Sequence, residues 1–322
     1  MRPDAPQNAD TVAEVGEFGL IRRVTSGRVQ PPTTLLGPGD DAAVIAAPDG
    51  RVVASTDVLV ENVHFRLDWS SPEQVGRKAA AVNLADIAAM GARPTALLVG
   101  IACPPDTPAE LVEGVTAGLW REARVAGAGV VGGDMVTSAT LVISITALGD
   151  LGGVEPVTRS GARVGDVVAV CGKLGWAAAG LAVLGRGFRS PVAVVGAQRS
   201  PEPPYPAGPQ AAAAGATAMV DTSDGLLADL GHVATASGVA IDIRTELLQV
   251  HPRLVDVASA LGADSRHWAL TGGEDHALAA TFPDPAAVPE DWQTIGSVRR
   301  GSGVTVDGRT YEKPSGWEHW RT

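Results

Sequence analysis

Acidic residues recur in this chain where apolar runs stop. They stand in Gly39-Asp40-Asp41, Ser55-Thr56-Asp57, Asn83-Leu84-Ala85-Asp86, Gly132-Gly133-Asp134, Asp221-Thr222-Ser223-Asp224-Gly225 and Gly272-Gly273-Glu274-Asp275. Taken singly, each fits turn chemistry, because Asp and Gly are ordinary turn residues. As a set they exceed it, since turns alone would draw as freely on Asn, Ser and Pro. Carboxylates brought together without Lys or Arg repel one another unless hard cations lie between them. Magnesium with a phosphate substrate meets that requirement. Asp86 differs from the rest because it falls inside a predicted helix. Asn83 and Met90 share its face, beside an apolar stripe of Val75, Ala79, Val82 and Ala89. A surface acid and a metal ligand both fit that position.

Other chemistries find less support. Gly127-Ala-Gly129-Val-Val-Gly132 matches the dinucleotide-binding glycine pattern, but a helix precedes it and an acid follows it, the reverse of strand, loop and helix. Gly172-Lys173 lacks the upstream glycine of a Walker loop. The six histidines are scattered without zinc spacing, and no Ser/His/Asp or Cys/His arrangement stands out.

The elements that must position the acids are legible in outline. Ala42–Ala47, Val52–Thr56, Ala96–Cys103 and Leu141–Leu148 read as strands. Ser71-Pro72-Glu73 opens a helix that Gly91 and Pro94 stop, and a second helix covers Pro108–Ala126. Asp150-Leu-Gly-Gly separates two halves, giving expected domains at 1–152 and 153–322. In the second half, Arg163-Val-Gly-Asp leads into a strand, and helices are expected near Trp176–Leu184 and Gly225–Ala236. Pro201–Pro209 is expected to be a rigid connector rather than a helix. Strands and helices mix without a strict βαβ repeat, which predicts an α+β fold.

Composition narrows the partners. The 322 residues suit two domains, and 45% hydrophobic with 19% charged residues is a globular composition. The net charge of −11 argues against a nucleic-acid or anionic-membrane surface. No apolar run reaches the ~18 residues of a membrane span. Met1–Asp10 has no apolar leader core, and two cysteines do not make a disulfide framework, so the expected compartment is the cytoplasm.

The motifs together resemble the thiamine-monophosphate kinase family, of the superfamily that includes aminoimidazole ribonucleotide synthetase. The resemblance covers nearly the whole chain. It is carried by Gly16–Ile21, Gly39-Asp-Asp-Ala, Ser55–Phe65, Lys78–Ala92, Gly132-Gly-Asp, Thr158-Arg-Ser-Gly, Asp221-Thr-Ser-Asp-Gly-Leu and Gly272-Gly-Glu-Asp. It implies two α+β domains, a homodimer joined through the N-terminal domains, and transfer of the γ-phosphoryl group of ATP to thiamine monophosphate. Carried over by position, Asp41, Ser55, Thr56, Asp57, Asp86, Asp134, Asp221 and Asp224 bind several magnesium ions. Gly133, Asp134, Arg159 and Ser223 meet ATP, and His64, Glu274 and Trp317 meet thiamine monophosphate. His276 stands where family members often have Tyr, and the tail before Val15 is extended. The expected chemistry needs no general base, because the accepting phosphate oxygen is already ionised near neutral pH. Two alternatives stand beside this one. A selenophosphate synthetase-like enzyme is disfavoured because its N-terminal reactive Cys is missing and Cys103 lies in a predicted strand. A catalytically silent nucleotide-binding dimer is disfavoured because no ligand position has degenerated.

Overall fold

The computed structural model describes residues 10–39 and 42–311. The chain divides into two units, Met1–Ile87 with Arg93–Gly152, and Ala88–Ala92 with Gly153–Thr322. Both mix helices with sheet, as the α+β expectation required.

The first unit opens with helices α1 (Val12–Val15) and α2 (Glu17–Thr25) and the short pair β1 (Thr34–Leu36) and β2 (Val44–Ile45). Its main sheet contains β3 (Val53–Val60), β4 (Arg93–Cys103), β5 (Gly129–Thr137) and β6 (Val142–Asp150), in the order β3-β6-β4-β5. Only β4 and β5 pair in parallel. Strand β6 alternates strictly, with Ile143, Ile145 and Ala147 enclosed and the residues between them partly exposed, so one sheet face belongs to the core. Helices α3 (Pro72–Ala89) and α4 (Ala109–Val125) complete this unit. At the start of α3, the Ser71 N–H donates to Gln74 Oε1 and the Gln74 N–H donates to Ser71 Oγ, a reciprocal cap. The two helices touch backbone to backbone: a Cβ on Gly76 would lie 1.8 Å from the Val115 carbonyl oxygen, and one on Gly118 2.0 Å from that of Glu73.

Two local expectations change, and one strand comes without a sequence signal. The segment 42–47 forms only the two-residue strand β2. Strand β4 starts at Arg93, so Pro94 lies inside a strand, beside a register shift against β6. The glycine run Gly129–Gly133 is strand β5, which its composition hid. Glycine is needed there because a Cβ on Gly133 would stand 2.0 Å from the Val99 carbonyl oxygen.

The second unit carries β7 (Val167–Cys171), α5 (Trp176–Gly185), α6 (Val192–Arg199), α7 (Ala207–Ala213), β8 (Ala218–Asp221), α8 (Leu226–Ser237), β9 (Ala240–Ile243), α9 (Pro252–Leu261), α10 (Ser265–Thr271), β10 (Leu278–Phe282), β11 (Gln293–Arg299), β12 (Gly303–Val306) and β13 (Arg309–Thr310). Its seven-stranded sheet runs β13-β12-β9-β11-β7-β10-β8. Val168, Val170, Ile241, Ile243 and Ile295 meet Leu226 and Leu230 of α8 in one core. The expected proline connector is corrected at its end: Ala207, Gly208 and Pro209 already belong to α7, where proline fits the first helical turn.

Candidate functional site

In the first unit, strand periodicity sorts the Ser55-Thr56-Asp57 segment. Ser55 and Asp57 share one face of β3, and Thr56 faces the other way. Ser55 Oγ donates to Asp86 Oδ2 at 2.6 Å, which ties the strand to the interior of α3. The Asp57 N–H donates to Asn83 Oδ1 at 2.9 Å, and Asn83 Nδ2 donates to the Ala79 carbonyl at 2.9 Å. Asn83 is fully buried and is thereby committed to holding the strand. Asp86, three residues later, presents its carboxylate on the same side. The structure therefore places Ser55 in contact with Asp86, with Asp57 on the same face of β3 and its backbone held to α3 through Asn83. Thr56 Oγ1 instead donates to the Ile145 carbonyl at 2.8 Å and lies 3.2 Å from Thr146 Oγ1.

Asp134 does not join them within one chain. It lies on β5, at the opposite edge of the sheet from β3, three interstrand spacings or ~14 Å away. Its register runs through Gly100 and Ser144 to Val58, so it shares a face with Thr56 and not with Asp57. Gly133 lies beside it on β5. His64 sits in the turn after β3, where Nδ1 accepts the Val60 N–H at 2.9 Å. In the neutral ring the proton is then on Nε2. The buried Lys78 donates from Nζ to the His64 carbonyl at 2.9 Å and pins this turn to α3. Nearby, Glu61, Asn62, Arg66, Asp68, Asp106 and Thr140 line a cavity of about 490 Å³ at the same end of the sheet.

In the second unit the chemistry gathers where β8 ends. Asp221 is the last residue of β8 and is buried, with Oδ2 3.0 Å from His276 Nδ1. The 222–225 turn is laced to the 273–277 turn: the Glu274 N–H donates to the Ser223 carbonyl at 2.7 Å and the His276 N–H to that of Thr222 at 3.0 Å. The close approach requires glycine at 273, where a Cβ would meet the Ser223 carbonyl oxygen at 2.6 Å. Glu274 and His276 both adopt left-handed backbone, φ 66° and 51°. Arg159 is exposed on a segment that lies against β8, since the Met219 N–H donates to the Thr158 carbonyl at 3.2 Å. Ser237 Oγ also donates to the Arg159 carbonyl at 2.8 Å.

Sequence reasoning missed two members of this region. Asp229 and His232, on α8, offer ligand atoms within 4.8 Å of one another and of Asp224. Their i,i+3 spacing on a predicted helix was the available signal. Asp229 Oδ2 accepts the N–H groups of Asp224 and Gly225 at 3.1 and 2.9 Å. Burial, then the nearby charges of Asp221 and Asp224, push its carboxyl up to about 7. Three acids crowded at one turn make a fitting environment for a hard divalent cation. Asp41 and Trp317 lie outside the described residues.

The model of the family described as "AIR synthase related protein, N-terminal domain" matches residues 39–151. Thiamine-monophosphate kinase of Mycobacterium tuberculosis (strain H37Rv) is 52% identical over 310 residues, 96% of this chain and 92% of that protein. The enzyme of the same name from Corynebacterium glutamicum is 43% identical, across 98% and 96% of the two chains. A solved structure of AaThiL complexed with AMPPCP and TMP superposes with a TM-score of 0.80 at 33% identity, covering 99% of this chain and 100% of that one. With identity at this level along nearly the full length, the chain belongs to the thiamine-monophosphate kinase family.

Proposed function

We propose that this chain transfers the γ-phosphoryl group of ATP directly to the phosphate of thiamine monophosphate, giving thiamine diphosphate and ADP. The observation that carries this is the Ser55–Asp86 contact beside Asp57, which sets strand and helix oxygens together in a chain of this family. The accepting phosphate oxygen is ionised near neutral pH, so the reaction needs positioning and charge neutralisation rather than a base. Asp41, Ser55, Thr56, Asp57, Asp86, Asp134, Asp221 and Asp224 are the proposed magnesium ligands. Bound magnesium supplies the positive charge that lets two polyanions approach. Gly133, Asp134, Arg159 and Ser223 are assigned to ATP, where a guanidinium can grip phosphate oxygens bidentately. His64, Glu274 and Trp317 are assigned to thiamine monophosphate. The imidazole of His64 suits a polar or anionic substrate group, and Trp317 suits an aromatic ring.

A homodimer belongs to the same proposal. The sheet face opposite the first unit's core exposes Val58 (50%), Leu98 (39%) and Val136 (56%), which is unusual apolar exposure for a sheet surface and suits a second copy. Asp134 shares that face, too far from its own Asp57 for a common ion, so it would serve a site completed by the partner. An ATP-consuming reaction of this kind fits the cytoplasm, and among the described residues no helix is long and apolar enough to cross a membrane. The test is product identification. The purified chain with ATP, magnesium and thiamine monophosphate should yield thiamine diphosphate and ADP in equal amounts. ATP consumption without thiamine diphosphate would reject the assignment.

A further inference from the structure

We propose that His276 is a positioning residue that fixes the Asp221 carboxylate for cation binding; this rests on the magnesium-assisted reading above. The imidazole and the carboxylate are both buried, 5% and 3% exposed, with Nδ1 and Oδ2 3.0 Å apart. In that seclusion a carboxylate requires a donor, and the imidazole supplies an N–H from Nδ1. The bond occupies Oδ2 and leaves Oδ1 as the oxygen for a cation, which is the orienting role that outer partners play around metal-binding carboxylates.

The surrounding backbone is arranged to deliver the ring. Strand β10 pairs with β8 so that Leu278 stands opposite Asp221, two residues from His276. The Ala277 N–H donates to Thr222 Oγ1 at 3.0 Å, and the Thr222 N–H donates to the Ala277 carbonyl at 2.8 Å. These bonds hold His276 in left-handed backbone, a conformation that side-chain-bearing residues adopt at a disadvantage. The neighbouring Asp275 accepts the N–H groups of Gly175 and Ala177 at the start of α5, so the turn is anchored on its other side as well. The ring thus meets Asp221 through a frame fixed on both flanks by bonds that do not involve the imidazole.

The experiment is a titration of the full chain with Mn²⁺, free ion read by electron paramagnetic resonance, without nucleotide or thiamine monophosphate. His276→Phe keeps a ring but removes the donor. His276→Asn sets an amide N–H near the position of Nδ1 and tolerates left-handed backbone. His276→Phe should bind one class of Mn²⁺ ~10-fold more weakly while still unfolding in one cooperative transition in chelator, and His276→Asn should recover most of the loss. In turnover, the apparent affinity for Mg²⁺ should move more than the rate at saturating metal. Should His276→Phe not fold, His276→Gly removes the donor and suits the left-handed backbone. Identical Mn²⁺ isotherms for all variants, a wild type that binds no Mn²⁺, or failure of His276→Asn to recover binding would each overturn the inference. Normal Mn²⁺ behaviour without thiamine diphosphate formation would overturn the kinase assignment and leave His276 in its role.

Discussion

Asp275 is a buried acid whose work is local. Its two oxygens accept backbone N–H groups of Gly175 and Ala177, at the first turn of α5. Burial dominates over those donors and pushes its carboxyl from the ordinary 3.8 up to about 7. A carboxyl raised on folding binds its proton more tightly in the native state. Its contribution to stability is therefore full below about pH 4 and is lost as the pH rises through about 7. Asp275→Asn should flatten that part of the pH dependence: denaturant midpoints of wild type and variant, taken in chelator between pH 5 and 8, should converge or cross as the pH rises. Parallel curves would show that Asp275 does not titrate in this range. Asp275 was visible in the sequence only as part of an acidic motif, where nothing separated it from Glu274. Asp86 was legible as a surface acid or a metal ligand alike, because Asn83 lay one turn before it on an apolar helix. What the spacing did not carry was Ser55, whose contact with Asp86 joins residues 31 positions apart.

Helices α3 and α4 show what positions Asp86. Their contact has no side chain between the backbones at Gly76 and Gly118. A methyl group at 118 would stand 2.0 Å from the Glu73 carbonyl oxygen, so the helices must separate to admit it. Gly118→Ala should lower unfolding stability by ~1–3 kcal/mol, the usual effect of overpacking. Gly231→Ala is the contrast, because that glycine lies in α8 with nothing within 4 Å of an added Cβ. There the helix preference of alanine should raise stability by up to ~1 kcal/mol. Chemical denaturation of both variants checks the pair, and equal effects would contradict the close-approach argument. The start of α3 was legible because Ser71 and Pro72 are local signals with local consequences. The strand character of Gly129–Gly133 was not, since Gly133 answers to the Val99 carbonyl on a different strand and Gly129 to Gln30 and Pro31. Nor was the start of α7, where proline suits both a connector and a first helical turn.

At the scale of the molecule, the α+β class followed from the irregular order of strands and helices, while the edge positions of β3 and β5 depended on pairings no local pattern states. Those edges motivate a test of the homodimer. Asp57→Asn and Asp134→Asn chains, co-expressed with different tags and purified as the mixed dimer, should show about half of wild-type activity if each site takes Asp134 from the partner, because one of the two sites is then intact. A mixed dimer as inactive as either parent would place both residues in one chain's site. The identity with named thiamine-monophosphate kinases runs through both units, so the chemistry rests on the whole chain rather than on one motif. The most direct measurement is the rate of thiamine diphosphate formation against free Mg²⁺, for wild type and Asp57→Asn, with melting temperatures taken alongside. The account predicts no turnover in chelator, saturation with Mg²⁺ in the wild type, and a loss of ~100-fold or more in a folded Asp57→Asn. Turnover without a divalent cation, or near-wild-type rates in Asp57→Asn, would contradict it.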